Sequence, residues 1–565
     1  MIRKWIITSI ISKSLYKTII FTGGFVENKF VKNTKEVYNA NKNLLFRILK
    51  KNCKSKIGIE YDFENIKSIE EYKEKFPITD YSFYQDYIEK MEKGEKNILI
   101  SEKVEYFGRT SGTTGKQKLI PTCKSSRRIA SKYMAVLLTR YAYNYFKEKW
   151  NNGKGLLIAD ITMTSYSEGG VPICSATSGG MNSIKYIMNY LYTSPLEVFY
   201  IEDRETALYL HILYALGDYN LLYISGVFIS NVVDLFRVLE KNYESLVKDI
   251  RMGSISKKLN IDYKTRNKLN SLLSPNAARA NYLEKEFNKG FEGIARRIWP
   301  HLTYIATVTG ANFSIYDNKL NYYTDYIPIY SPVYASTEGT IGINPYVKKI
   351  EYVIIPDTVF YEFIPIEEDR TNNPKTLCLW ELKKNGVYEI IITTYSGLYR
   401  YRLSDVIRVV DFYNGSPSIE FLYRKNQVLN MVSEKTNEEH LTVAIKNTMK
   451  TMDMNVVDYT TLPDNTLTPG RYVIFLELKT IVNNKQVKVM EENLEEELQK
   501  SNLSYARARK SRKLEKLKLN VVKENTFDAI KEVLFTNGVS KNQVKIPRVT
   551  NNNLVIKILI ENICS

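Results

Sequence analysis

The sequence predicts an α/β fold that ends in a smaller α+β segment, on three observations. Strand-length apolar runs GKGLLIADI (153–161), LLYISG (221–226) and LTYIATVTG (302–310) alternate with helix-patterned stretches, the signature of an α/β core. Residues 350–424 change character: EYVIIP, VFYEFIP, TLCLWEL, GVYEIIITT and IEFLYR follow one another with turn residues between. That is a β-meander or small β-barrel attached to the α/β layers. Beyond it, YVIFLEL (472–478) and KLNVV (518–522) mix with a charged helical region at 487–516 and a helix from Thr526 to about Phe535. The main boundary falls near 425, giving an N-terminal domain 1–424, a polar connection 425–435 and a C-terminal domain 436–565.

The elements are justified in order. Residues 1–20 open with basic residues and an apolar run that Thr8, Ser9, Ser12 and Lys13 interrupt, with no small-residue cleavage site after it. An amphipathic helix is predicted rather than a signal peptide. Val37, Leu44, Leu45, Ile48 and Leu49 give 34–51 one helical face, and a second helical region ends at Gly94. The stretch EYFGRTSGTTGKQKLIP (105–121) reads as a loop leading towards a helix, whose face is Ile129, Tyr133, Val136, Leu137, Tyr141 and Tyr145. The segment 165–182, with glycines at 169, 170, 179 and 180, reads as a loop over a site or a strained turn.

Composition narrows the function classes. At 565 residues the chain exceeds one ordinary core, and 44% hydrophobic with 25% charged residues is ordinary for a soluble globular protein. The net charge of +18 comes from scattered lysines mixed with glutamates, so a solvated basic surface is the preferred reading; the basic helix around Tyr505–Arg509 is read the same way. No helix-turn-helix or aromatic-interleaved basic motif supports a specific nucleic-acid partner. No run of about 20 apolar residues predicts a transmembrane span. Cys53, Cys123, Cys174, Cys378 and Cys564 lack CxxC or metal spacing, favouring a reducing, cytoplasmic location and arguing against zinc. His211, His301 and His440 sit in no triad or HExxH setting. Oligomeric state is left open, a monomer being compatible.

Three segments carry chemistry. Glycines and hydroxyls at 110–115, with Lys116 and Lys118, suit a phosphate cradle, although the common nucleoside-triphosphate loop is excluded: Gln117 follows Gly115-Lys116, and Thr110 stands where that loop needs its first glycine. On this loop alone, a phosphate site and a polar turn both remain open. In SPVYASTEGTIGINPY (331–346) an aromatic beside small residues can stack on a base, and the lone carboxylate of Glu338 suits a hard cation such as Mg²⁺; a tight turn with Glu338 in solvent is the alternative. In YSGLYRYRLSDVIRVVDFY (395–413) Asp405 can accept from a ribose diol, against a surface ion pair with Arg402.

Taken together, FGRTSGTTGKQKLIP, YASTEGTIGIN and GLYRYRLSDVIRV resemble three signature motifs of the adenylate-forming acyl acid–amido synthetases, the Gretchen Hagen family of auxin and jasmonate conjugation. KEKFPITDYSFYQDYIEKMEKGE (73–95), RRIWPHLTYIATVTGANFSIY (296–316), VFYEFIP (359–365), KNQVLNMVSEKTNEEHL (425–441) and NGVSKNQVKIPR (537–548) fit as well, so the resemblance covers nearly the full chain in the family's order. It implies a firefly-luciferase-like fold with a large N-terminal adenylation domain and a small mobile C-terminal lid. It implies that a small carboxylic acid attacks the α-phosphate of Mg·ATP to give acyl-AMP and pyrophosphate, and that an amino acid amine then displaces AMP to form an amide. By motif position, Thr110, Ser111, Gly112, Thr113, Thr114, Gly115 and Lys118 are expected on the ATP phosphates, and Gly310 close to the nucleotide. Tyr334, Ala335, Ser336 and Thr337 are expected on the adenine and α-phosphate side, Glu338 on Mg²⁺ and Asp405 on the ribose. Arg424 and Lys425 match the hinge, and Lys545 the C-terminal lysine that reaches the α-phosphate. Tyr141 and Tyr166 are acyl-pocket candidates by position, with core packing equally open. Ala335 and Ser404 stand where many relatives have Gly, and Thr337 where Ser is frequent; these small-for-small changes preserve the chemistry. The alternatives carried forward are an acyl-CoA ligase with a thiol acceptor and a non-catalytic nucleotide- or polyanion-binding protein.

Overall fold

A computed structural model describes residues 2–110, 118–309, 316–368, 374–425, 429, 431, 434, 436–464, 466–467, 469–511, 513–536 and 544–564, with backbone alone for 2–9 and Thr164. Strands Gly155–Ile158, Tyr223–Phe228, Tyr304–Val308 and Ile329–Tyr330 lie side by side, all parallel. Helices Arg204–Leu216, Ile229–Met252 and Asp317–Thr324 fall in the connections between them. The first is apolar all round, with Leu208, Leu210, Ile212, Leu213 and Leu216 buried, so it sits within the core rather than on it. Asp203 caps it by accepting from Thr206 N at 2.8 Å.

The β-rich region forms an eight-stranded antiparallel sheet in the order Leu377–Cys378, Phe360–Pro365, Val387–Thr393, Tyr401–Tyr413, Ser416–Arg424, Tyr352–Ile354, Thr340–Ile343, Val333–Ala335. Helix Val37–Asn52 packs Leu44, Leu45, Ile48 and Leu49 into one cluster with Phe360, Phe363, Ile390 and Ile392 of this sheet. Its buried Asn41 donates to Pro356 O and Val359 O, each at 2.8 Å. The C-terminal part is a three-stranded sheet, Val456–Asp464, Arg471–Leu478 and Lys518–Val522, flanked by helices Glu438–Thr451, Asn484–Ser501 and Thr526–Thr536.

Four sequence expectations are corrected. The first helix runs on from residue 20 to Lys35. The stretch 105–121 does not feed a helix directly: Val104–Arg109 and Leu119–Cys123 form an antiparallel hairpin, and the helix starts at Lys124. That helix passes through a π turn at Lys132–Leu137, which shifts its face: Tyr133, Leu137, Tyr141, Ala142 and Phe146 are buried, while Tyr145 is exposed. The glycine-rich 165–182 is not one loop: strands Met163–Tyr166 and Pro172–Cys174 flank a turn in which Gly170 has φ +74°, and helix Ala176–Leu191 follows. The close approach there belongs to Gly179, where a Cβ would lie 2.4 Å from the Tyr106 ring.

The C-terminal part seats on helices Ile229–Met252 and Asp317–Thr324 through a charged seam. Tyr316 donates to Asp458 Oδ2 at 2.5 Å, Lys319 Nζ to Val457 O at 2.6 Å, and Lys531 Nζ lies 3.6 Å from Asp234. Burial alone would raise the Asp234 carboxyl, but Lys531, Arg204 and Arg237 hold it well below the usual carboxylate range.

Candidate active site

The site is built where the Tyr401–Tyr413 strand breaks its register. Ile391 faces Arg402 and Glu389 faces Val406, so Leu403 to Asp405 bulge out of the ladder. Ser404 sits inside that bulge at φ +65°, a left-handed conformation glycine adopts without cost. The bulge turns in the Asp405 side chain, which is 2% exposed. Directly across the next pairing stands Arg424, whose Nε lies 2.6 Å from Asp405 Oδ1. Tyr334 donates its hydroxyl to Asp405 Oδ2 at 2.6 Å. Asp405 raises the Arg424 guanidinium further above its ordinary range, and burial, then Asp405, pushes the Tyr334 phenol far up. Tyr334 is therefore a neutral donor and Asp405 an ion-paired acceptor.

Tyr334 belongs to the edge strand Val333–Ala335, after which Ser336 and Gly339 close a turn by mutual backbone hydrogen bonds of 3.0 and 3.3 Å. Glu338 on that turn is half-buried, and its charge acts on Arg424, Tyr334 and Tyr401 together. Ser336 Oγ is buried with no partner among the described residues, an acceptor and donor left for a ligand. Strand Val104–Arg109 approaches the same turn so closely that a Cβ on Gly108 would lie 2.8 Å from Thr337 Cγ2. Hence the strand Val104–Arg109, which leads to Thr110, arrives beside Tyr334–Glu338. At its base Thr110 N donates to Lys118 O at 3.0 Å, and Lys118 Nζ lies 3.3 Å from Tyr401 Oη, over the Tyr81 ring at 5.4 Å.

Ser111, Gly112, Thr113, Thr114, Gly115 and Gly310 lie outside the described residues. Arg402 is not the partner of Asp405: it pairs with the buried Glu389, which Lys425 Nζ also reaches at 2.6 Å. Tyr141 packs among Phe30, Tyr133, Leu137 and Ile343, its buried hydroxyl without a partner among the described residues. Tyr166 is exposed. Lys545 lies in the C-terminal part, its Nζ 3.3 Å from Oε2 of the buried Glu438 at the start of helix Glu438–Thr451. Sequence reasoning missed Arg424 as the partner of Asp405, Tyr401 beside Lys118, and Glu438 beside Lys545. The first was readable only from strand register, since nothing in linear spacing pairs 405 with 424.

Among the described residues no cluster of three or more His, Cys, Asp or Glu could hold a metal. One half-buried carboxylate, Glu338, stands on the turn, and a Mg²⁺ carried by a nucleotide commonly takes one or two carboxylates plus substrate phosphates.

Comparisons with known proteins identify relatives of the whole chain. The GH3 family N-terminal domain matches residues 26–329, the central domain 352–424 and the C-terminal domain 439–554. Indole-3-acetic acid-amido synthetase GH3.5 of Arabidopsis thaliana is 30% identical, over 93% of this chain and 91% of its own length. The solved structure of GH3.15 acyl acid amido synthetase matches with a TM-score of 0.85 at 26% identity, covering 94% of this chain and 95% of its own. A 2-hydroxyisobutyryl-CoA ligase, at 10% identity and a TM-score of 0.51 over 96% of this chain and 91% of its own, shares the fold alone. With three family domains matched in order and a carboxylate gripped at the bulge where the family motif falls, the chain belongs to the GH3 family.

Proposed function

We propose that the protein is an ATP-dependent acyl acid–amido synthetase, which activates a small carboxylic acid as its acyl adenylate and passes the acyl group to the amine of an amino acid. The observation that carries this is the Asp405 grip: a buried carboxylate flanked by Tyr334 and Arg424, beside a turn with an orphaned hydroxyl and a lone acid. In the first half-reaction a carboxylate oxygen of the acid bonds to the α-phosphorus of ATP, and pyrophosphate leaves. In the second, the amine bonds to the acyl carbon, AMP leaves and the nitrogen loses a proton. A free carboxylate would have to expel oxide; the mixed anhydride makes AMP the leaving group.

The residues divide the work. Asp405 accepts from the ribose hydroxyls, exchanging its contact with the Tyr334 hydroxyl for them. Tyr334 to Thr337 line the base and α-phosphate, with Ser336 Oγ donating to the nucleotide. Thr110 to Gly115 and Lys118 hold the pyrophosphate end, and Gly310 lies close to the nucleotide. Glu338 would hold Mg²⁺, whose chemistry when bound is to neutralise phosphate charge. Lys545 reaches the α-phosphate when the C-terminal domain, joined through the hinge 425–435 that begins beside Arg424 and Lys425, turns towards the site. The gap between the matched family segments ending at 424 and beginning at 439 supports that boundary. The free cysteines support a reducing, cytoplasmic location.

Pyrophosphate release from ATP with a panel of carboxylic acids, followed by the product mass with amino acids or coenzyme A, tests the assignment. Acid-dependent release and an amide product are expected. No acid-dependent release across a broad panel, or a thioester product, would overturn it.

A further inference from the structure

The N-terminal helix Ile2–Lys35 has a second apolar face that the fold does not use. Its inward face is fully engaged. Tyr16 donates to Leu191 O at 3.1 Å and meets the Trp150 ring at 6.2 Å. Arg140 pairs with Glu27 at 3.0 Å, Phe30 packs on Tyr133 and Tyr413, and Thr34 O accepts from Gly415 N at 2.8 Å. Ser12, Tyr16, Ile20, Gly23, Phe30 and Thr34 are all buried on that side.

The helix is therefore strapped down and cannot roll to hide its other side. There, at steps of three, four and seven, stand Ile10, Lys17, Phe21, Phe25, Lys32 and Lys35, which 3.6 residues per turn places on one stripe. Ile10 is 62% exposed, Phe21 68% and Phe25 64%. The two phenyl rings meet edge to face at 5.1 Å in solvent. The lysines of the stripe are exposed, as is Lys13 at its flank. The one acid of residues 1–35, Glu27, is the one Arg140 occupies on the inward side. Residues 10–25 also precede the segment the family model matches, which begins at 26.

We propose that this stripe is a docking surface for an anionic lipid bilayer. Charge decides the occupant: rings in a stripe whose charged residues are all lysines suit a layer whose hydrocarbon takes the phenyls and whose phosphates take the ammonium groups. A second copy of this chain, at a net +18, would set lysine against lysine. Among the described residues no helix is long and apolar enough to cross a membrane, so the helix lies on the surface.

The test is co-sedimentation of the full chain with phosphatidylcholine vesicles, with and without phosphatidylserine. Binding is expected only with phosphatidylserine, weakening as salt rises. It should fall by about tenfold or more in the F21S/F25S double variant, which exposes less apolar surface and loses its membrane insertion. The K13E/K17E variant should lose the phosphatidylserine preference. All four side chains are exposed, so unchanged thermal melting of both variants shows that the loss is of docking rather than folding. No binding to either vesicle, binding that survives F21S/F25S, or a dimer in sedimentation velocity that F21S/F25S disperses would each overturn the proposal, the last in favour of self-association.

Discussion

Asp405 and Lys545 are held in contrasting ways. Asp405 is fixed by strand register: a bulge on one strand, Arg424 across the ladder and Tyr334 on the sheet edge. Each of its oxygens has a partner built into the same eight-stranded sheet. Lys545 belongs to the C-terminal part and rests against Glu438, and that part meets the N-terminal body partly through ion pairs and hydrogen bonds around Asp234, Lys319 and Asp458. Strand register cannot change without losing a whole ladder, whereas the seam is made of separate side-chain contacts outside any ladder. On the roles proposed above, the contrast is between a nucleotide grip preorganised within one sheet and a lysine carried by a separate part of the fold.

The largest expected effect is on the preorganised side. Arg400, 5% exposed, pairs with the fully buried Glu362 at 2.9 Å and donates to Lys73 O and Phe76 O at 2.6 Å. R400A should cost about 3–5 kcal/mol by stranding a buried carboxylate, read by chemical denaturation. A loss below about 1 kcal/mol would break the claim that this sheet is rigidly held. Next, K545A should lower acyl-adenylate formation about 10²–10³-fold, the loss of one electrostatic stabiliser of the phosphoryl charge, with the fold intact by thermal melting. Wild-type turnover would remove Lys545 from the reaction.

The seam gives a smaller, pH-dependent effect. Desolvation lowers the Lys319 ammonium to about 7, so between about pH 7 and pH 10 the unfolded chain, with its ordinary lysine value, binds more protons than the folded one. Stability should rise with pH across that window. In K319M this rise should flatten, as read by denaturant midpoints at each pH; an unchanged slope would contradict the desolvated state. Smallest, S404G should stabilise by about 0.5–1 kcal/mol, since φ +65° is costly for serine but the added glycine also loosens the unfolded chain. Destabilisation would mean that the serine hydroxyl contributes to the bulge.

Much of this was legible in the sequence. The three parallel strands within 153–161, 221–226 and 302–309 are largely buried and so appear as nearly unbroken apolar runs. In the C-terminal part the strands at 472–478 and 518–522 and the helix from Thr526 were readable, whereas helix Glu438–Thr451 and strand Val456–Asp464 were not. The hairpin at 163–174 was not, because short strands carrying Ser, Thr and Gly look like loop and gain their pairing only from Val104–Arg109 alongside. At the site, residue type made Tyr334, Glu338 and Asp405 candidates and the family resemblance selected them; the structure brings them together. Arg424 at Asp405 was beyond linear reading, because antiparallel register joins residues whose separation is set by the hairpin turn. Arg402, three residues from Asp405, was the tempting partner, but the bulge sends the two to opposite neighbours.

The most direct measurement is calorimetric binding of ATP to D405N and K545A side by side. D405N should lose at least about tenfold in affinity, through a weakened acceptor for the ribose diol, while K545A should bind nearly as the wild-type protein does. Equal binding by D405N and the wild type, or a greater loss in K545A, would contradict a nucleotide grip built on the sheet.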